Sequence, residues 1–520
     1  MTEMNPSMPK GHLTEPEPLH GIKLILATIA LGLGSFMNVL DISIANVALP
    51  TIAGDFAVSP AQGTWVITSY AVSEAIMLPL TGWLSSRFGE IKQFIIATLL
   101  FTLFSVLCGL AWSFPVLLIG RIFQGIVGAS MIPLSQALIV KSFPVEKRGM
   151  ALGIWALTTI IAPVSGPLIG GWLTDHYSWR WVFYINIPFG LLCTGLIYWL
   201  MKGRDNVPVK KPIDAMGLLL LAIGIGCLQI MLDKGNELDW FSSNFIVIVA
   251  VVSVISLISF IIWELGEEHP VVDLRLFKIP NFLISCLCLF IGSFAFYIFV
   301  VIGPLWMQTQ LGYTPVIAGM VMASTGLLAI FAGPLFGSQL PKLGARRVAT
   351  FGYICFAISA IWSGSMTTDV DFHYLQASRW IMGFGIAGFF VPLTAISLSR
   401  LKGPQIAAGA GLTNFLRNLG GSIGTALGVT IWQNDAIRNH AVLSESINPT
   451  NLQFMELSNY LTGMGLDEPA QLQLVDLLVS SQAYILSTNH LLTLSGLIML
   501  SLIPIIWFAK PPFAAGGGGH

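Results

Sequence analysis

Charge is scarce in this chain. Only 10% of its 520 residues are charged, where a soluble domain carries roughly 25%. So few charges cannot cover a water-exposed surface, and most of the surface must face lipid. A basic surplus is missing too. The formal net charge is −1, which excludes an electrostatic footprint for nucleic acid. Cysteine is rare. The six cysteines lie in apolar runs and form no CxxC pair, so they read as small core residues and not as disulfides or metal ligands. Neither an HExxH motif nor a P-loop occurs, so the sequence offers no zinc-hydrolase or ATPase site. No cleavable signal peptide is visible. The first apolar run begins near Leu24 after a polar tail and reads as a retained first helix that also targets the chain.

What is abundant is apolar sequence, 55% of the residues. A hydrocarbon core of about 30 Å needs about 20 helical residues. Fourteen runs meet that length: 24–50, 62–84, 94–112, 114–139, 150–173, 181–200, 215–232, 244–263, 282–307, 314–339, 348–366, 375–398, 407–432 and 485–508. With both termini in the cytoplasm, nineteen of the 25 Lys and Arg residues fall on the cytoplasmic side, three fall outside and three (Arg121, Arg379, Arg417) lie within spans. That bias follows the positive-inside rule. The fold expectation is an all-α integral membrane protein with fourteen transmembrane helices. The segment 433–484 is polar and reads as a long outside loop, with 467–481 a candidate amphipathic helix.

The two ends of the chain repeat each other. Gly82, Arg87 and Gly89 recur as Gly337, Lys342 and Gly344, each 255 residues on; Arg121 and Gly125 recur as Arg379 and Gly383, 258 on. The repeat pairs spans 1–6 with 9–14 and leaves 7 and 8 as an insertion. The expected organisation is a tail (1–23), a six-helix bundle (24–200), a linker with the inserted pair (201–281), a second six-helix bundle (282–508) and a tail (509–520). Two such halves suit a rocking transporter with its site between them. The Gly-rich end with His520 reads as flexible, without a metal site.

Ionisable groups inside spans are costly and want a reason. Asp41 in span 1 and Glu74 in span 2 are the acidic residues within these limits, and no histidine sits mid-span. Asp41 and Arg121 lie at similar depth on antiparallel helices. A carboxylate beside Arg⁺ stays ionised; parted from it and desolvated, it takes a proton. Making and breaking that pair would couple protons to movement, though a fixed structural pair has the same residues. Glu74 reads as a second proton site, a counter-charge for cationic substrates, or a protonated acid bonded between helices. Asn414 and Arg417 sit in a glycine-rich stretch of span 13, where close helix approach turns Arg417 into the bundle; a structural role is the expectation. Arg379, near the end of span 12, is expected to snorkel to water. Gly166, Pro167, Gly170 and Gly171 predict a kinked, closely packed span 5, as a seal or as plain packing. Arg87 and Gly89 form a turn that serves either as a gate or simply as a basic loop.

These residues carry a resemblance. Leu40-Asp41 through Asn46-Val47-Ala48-Leu49-Pro50, the turn at Gly82–Gly89, Arg121-x-x-Gln124-Gly125-x-x-Gly128-Ala129, the Gly166–Gly171 run and Trp179–Gly190 resemble the motifs of the major facilitator superfamily, in its fourteen-helix drug:proton antiporter branch. Residues 235–243 and 508–513 resemble the inner-membrane pumps of tripartite multidrug efflux systems. The resemblance implies proton-coupled efflux of hydrophobic or amphiphilic compounds across the cell inner membrane, with Asp41, Glu74 and Arg121 as candidates for proton coupling. It implies no cofactor and no enzyme activity. Its implied partners are a periplasmic membrane-fusion adaptor and an outer-membrane channel. The alternative on the same fold is an exporter or symporter of one metabolite; a channel or an envelope scaffold is a third class. The chain departs from the motifs at Ser86, where the family has an acid, which leaves the usual charge relay of the loop incomplete; at Glu90, where it has a base; and at Ala162, where it has a glycine.

Overall fold

The computed structural model describes residues 18–511 and 513, apart from 145–146, 206–211, 213, 404 and 449–450. Most of both expected tails, including His520, therefore lies outside the described residues. All described regular structure is helical. Helices occupy each of the fourteen apolar stretches, and ten helices are long and apolar enough to cross a membrane by length and composition.

Helix α1 (Gly21–Asp55) precedes the short α2 (Pro60–Gly63). Span 2 is a broken rod: α3 (Trp65–Met77), a 3₁₀ turn (Leu78–Leu80) and α4 (Thr81–Phe88). Pro79 sits in the turn, where it has no N–H to give an α-helical ladder. After α5 (Glu90–Gly109) come α6 (Phe114–Gly128) and α7 (Met131–Ser142), interrupted at Ala129–Ser130. Pro133 explains the interruption, because a proline ring clashes with the carbonyl four residues earlier, here Ala129. The same rule places a break before Pro188, between α9 (Trp181–Tyr184) and α10 (Asn186–Met201). The intervening α8 (Arg148–His176) runs unbroken.

The pair expected as an insertion comprises α11 (Ala215–Gly235) and α12 (Asn244–Gly266), tied where Ser253 Oγ donates to the Gly224 carbonyl at 2.8 Å. One face of α12 exposes Ile248, Val251, Val254, Ile255, Ile258 and Ile262. Such a face suits contact with lipid, as expected of a spanning helix. The remaining helices are α13 (Pro280–Thr309), α14 (Pro315–Leu343), α15 (Ala345–Ser363), α16 (Phe372–Leu398), α17 (Gln405–Ser444), α18 (Leu452–Gly463) and α19 (Glu468–Ile506).

Helices α1, α5, α7, α8 and α10 pack among themselves, as do α13, α15, α16, α17 and α19. Two seams join the sets: α8 against α14, and α17 against α4 and α7. At the first seam a Cβ on Gly149 would lie 2.5 Å from the Gly337 carbonyl oxygen, and one on Gly153 would overlap the Gly333 carbonyl. At the second, a Cβ on Gly82 would overlap Ala408, and one on Gly411 would lie 3.0 Å from the Leu78 carbonyl oxygen.

The long outside loop expected over 433–484 is largely helical. Helix α17 continues twelve residues past 432, about 18 Å. The amphipathic stretch 467–481 is continuous with the last span as one helix, α19, capped by Asp467. His490–Asp435 (2.6 Å) and His440–Asp476 (3.0 Å) contacts bind the two extensions into a hairpin.

Candidate functional site

Asp41 and Arg121 meet in a buried polar network. Arg121 Nη1 lies 2.5 Å from Asp41 Oδ2, and both side chains are sealed from solvent. Asp41 Oδ1 accepts from Gln124 Nε2 and from Asn186 Nδ2, each at 2.9 Å. Arg121 Nε donates to the Val66 carbonyl at 3.0 Å, and its guanidinium lies 4.3 Å from the Tyr70 ring centroid. Four helices thus meet on one ion pair: α1 carries Asp41, α3 carries Val66 and Tyr70, α6 carries Arg121 and Gln124, and α10 begins at Asn186. Asn186 also donates to Ser105 Oγ of α5 at 2.9 Å. A charge pair in a low-dielectric interior needs further hydrogen bonds; Gln124 and Asn186 supply them to Asp41 Oδ1, while Arg121 Nη2 is buried with no partner among the described residues. Gln124 was visible in the motif. Asn186 carried no charge signal, and only the helix break before Pro188 hints that it faces inward.

Glu74 is buried eight residues after Val66 on the same face of α3. It neighbours Asn38 and lies within electrostatic reach of Arg417 on α17. Asn38 Nδ2 donates to Tyr70 Oη at 2.9 Å, which links Glu74 to the ring under Arg121. Arg417 is half-buried and stands over the Phe390 ring. Asn414 Nδ2 donates to Gln136 Oε1 of α7 at 2.8 Å across the second seam.

Arg379 does not snorkel. Its side chain is fully buried; Nη1 donates to Ser363 Oγ at 3.0 Å, and the guanidinium lies 4.2 Å from the Phe299 ring centroid. Position along a span gave its depth but not its facing. The repeat explains the partners: Ser363 stands 258 residues after Ser105, and Phe299 stands 258 after Asp41. An aromatic face therefore occupies the position that holds the carboxylate in the first repeat. Desolvated cation–π contacts contribute about 2 kcal/mol. Phe299→Ala is expected to lower stability by about 3–5 kcal/mol, read as a fall in melting temperature in detergent, with Phe299→Tyr close to the parent.

The glycines of α8 seat it on α1 beside Asp41. A Cβ on Gly166 would overlap Ser43, and one on Gly170 would lie 2.7 Å from Ile44; Gly171 meets nothing within 4 Å, and the side chain of Pro167 lies outside the described ones. The loop motif is completed differently from the family pattern. Glu90 pairs with Lys141 at 2.6 Å, and Asp205 accepts from the backbone N–H groups of Ile91 and Lys92, capping α5. Gly89 has φ +88°, and any side chain there would run into the Asp205 carboxylate. Gly344, its repeat partner, has φ +81°. Arg87 stacks on Trp83. Among the described residues, no group of three or more His, Cys, Asp or Glu is placed to hold a metal.

Comparison with known proteins agrees with this geometry. The family model described as Major Facilitator Superfamily matches residues 31–425, and the chain belongs to that family. It is a multi-pass membrane transporter and not an enzyme. It is 43% identical to multidrug export protein EmrB of Escherichia coli K12 over 508 residues, 98% of this chain and 99% of that one. It is 41% identical to fatty acid resistance protein FarB of Neisseria gonorrhoeae over 503 residues, 97% and 99% of the two chains. Among solved structures, the human organic anion transporter MFSD10 superposes with a TM-score of 0.59 at 14% identity, covering 92% of this chain and all of that one, a likeness of fold alone.

Proposed function

We propose that this protein is a proton-driven exporter of hydrophobic and amphiphilic compounds in the cell inner membrane. The observation that carries the reading is the buried Asp41–Arg121 network, in a chain whose relatives are named for multidrug export and fatty acid resistance. Asp41 is the principal proton carrier, Arg121 its switchable partner, and Glu74 the second acid, facing Arg417 across the halves. Fourteen helices span the membrane as two six-helix halves plus the inserted α11–α12 pair, with both termini cytoplasmic. In that orientation both glycine seams lie at the cytoplasmic end. At the other end of α8 and α14, Gly171 and Gly319 meet nothing within 4 Å. A state closed at the cytoplasmic end is the outward-facing one of the two that alternating access requires. A periplasmic adaptor and an outer-membrane channel complete the export path.

The test is uptake of a lipophilic fluorescent cation into inside-out vesicles. Uptake should require a pH gradient, acid inside, and vanish with nigericin in potassium buffer. Equal uptake without the gradient would defeat the proton coupling; saturable uptake of one polar metabolite alone would replace multidrug export with a dedicated transporter.

A further inference from the structure

A cavity of about 700 Å³ lies outside the polar network, between the inserted pair and the first half. Its volume falls within the roughly 300–1,000 Å³ of small-molecule sites. Val72 of α3, Leu118 and Ile122 of α6 and Ile230 of α11 line its body. Trp65 and Phe245, both exposed, line it too, and Ile122 in its body is 39% exposed. Polar atoms gather at one end, where Lys234 Nζ pairs with Glu237 Oε2 at 2.6 Å and lies 3.5 Å from Thr64 Oγ1. One wall carries Thr68 and Ser69 of α3.

We propose that this cavity binds an amphiphile drawn sideways from the membrane, with a slender alkyl or aryl-alkyl body and a polar head. The apolar rows take the body, and the Lys234–Glu237 pair takes the head. In the orientation proposed above, the site lies in the outer half of the bilayer. With Ile122 exposed in mid-span, the site opens sideways and takes molecules already partitioned into the membrane. Helix α3 makes the site consequential. One of its faces lines the cavity with Ser69 and Val72, and the adjoining face carries Val66, Tyr70 and Glu74 at a spacing of four. Because Arg121 bonds the Val66 carbonyl, a ligand that fixes α3 acts directly on the Asp41–Arg121 pair.

Two sources share this chemistry, a membrane phospholipid and an exported compound. The full chain in phosphatidylcholine nanodiscs is irradiated with palmitic acid bearing a diazirine, and separately with phosphatidylcholine bearing the same chain; adducts are mapped by mass spectrometry. Adducts are expected on the cavity faces of α3, α6 and α11. They should fall roughly tenfold or more in Val72→Trp and, independently, in Ile230→Trp. Labelling by the acid that excess exported dye displaces assigns the site to exported amphiphiles. Labelling by the phospholipid that dye leaves unchanged assigns it to a bound lipid. Adducts confined to other helices, or unchanged in both tryptophan variants, overturn the site. No proton gradient enters the experiment, so its failure is separate from failure of proton-coupled export.

Discussion

Asp41→Asn is expected to reduce substrate-driven proton release from proteoliposomes to the level of empty vesicles. Asparagine matches aspartate in volume, so the packing of α1 against α8 through Gly166 and Gly170 survives. What is lost is the only carboxylate within bonding distance of Arg121 among the described contacts. Removing one partner of a buried pair costs about 3–5 kcal/mol, because the other charge stays buried without compensation. The variant therefore melts lower, and a folding control is needed. Asp41→Asn combined with Arg121→Met supplies it: replacing both charges is often neutral or stabilising. The double variant should melt above Asp41→Asn and remain uncoupled. Coupled proton release at parental rate in either variant would remove Asp41 from the mechanism. If Glu74 carries a second proton, Glu74→Gln will lower the protons moved per substrate while leaving movement itself measurable.

Much of this site was legible because lipid makes charge conspicuous. Few ionisable residues fall within apolar runs, so Asp41, Glu74, Arg121 and Arg417 stood out by cost alone. The repeat then set helix order and fixed which residues correspond. Four things were not legible, each for a physical reason. Neutral donors such as Asn186 and Gln136 cost little inside a bundle and leave no compositional trace. Facing is not encoded in depth, so Arg379 read as a snorkelling residue until Phe299 and Ser363 were seen around it. The stretch 433–484 looked like loop because its polar faces break the apolar period. It is helical because Asp467 caps α19 and two His–Asp contacts hold the hairpin. The departures at Ser86 and Glu90 read as an incomplete relay. The missing groups come instead from Lys141 and from Asp205, which lies 115 residues beyond Glu90 and outside any local motif.

Two alanines on the same helix are expected to have opposite effects. Gly337→Ala places a methyl against the Gly149 carbonyl and the Met150 Cα, which are backbone atoms of α8 and cannot rotate away. Only separation of α8 from α14 relieves the overlap. Overpacking of this kind costs about 1–3 kcal/mol, which changes a two-state ratio by about 5–150-fold. The cost falls only on the state closed at the cytoplasmic end, so the population moves toward the opposite one. Adding Gly153→Ala, whose methyl meets the Gly333 carbonyl, brings the total toward the roughly 5.5 kcal/mol that turns 99:1 into 1:99. Gly319→Ala is the control. It meets nothing within 4 Å, and alanine in a helix is about 1 kcal/mol better than glycine, so this variant should melt higher and transport normally. Distances between spin labels at Phe88 of α4 and Leu343 of α14, both exposed at the closed end, report the population. The long-distance component should be minor in the parent, substantial in Gly337→Ala and dominant in the double variant, with drug export falling tenfold or more as the transporter loses one of its two states. An unchanged distance distribution in the double variant would mean that the glycine seam is not the surface on which the halves close.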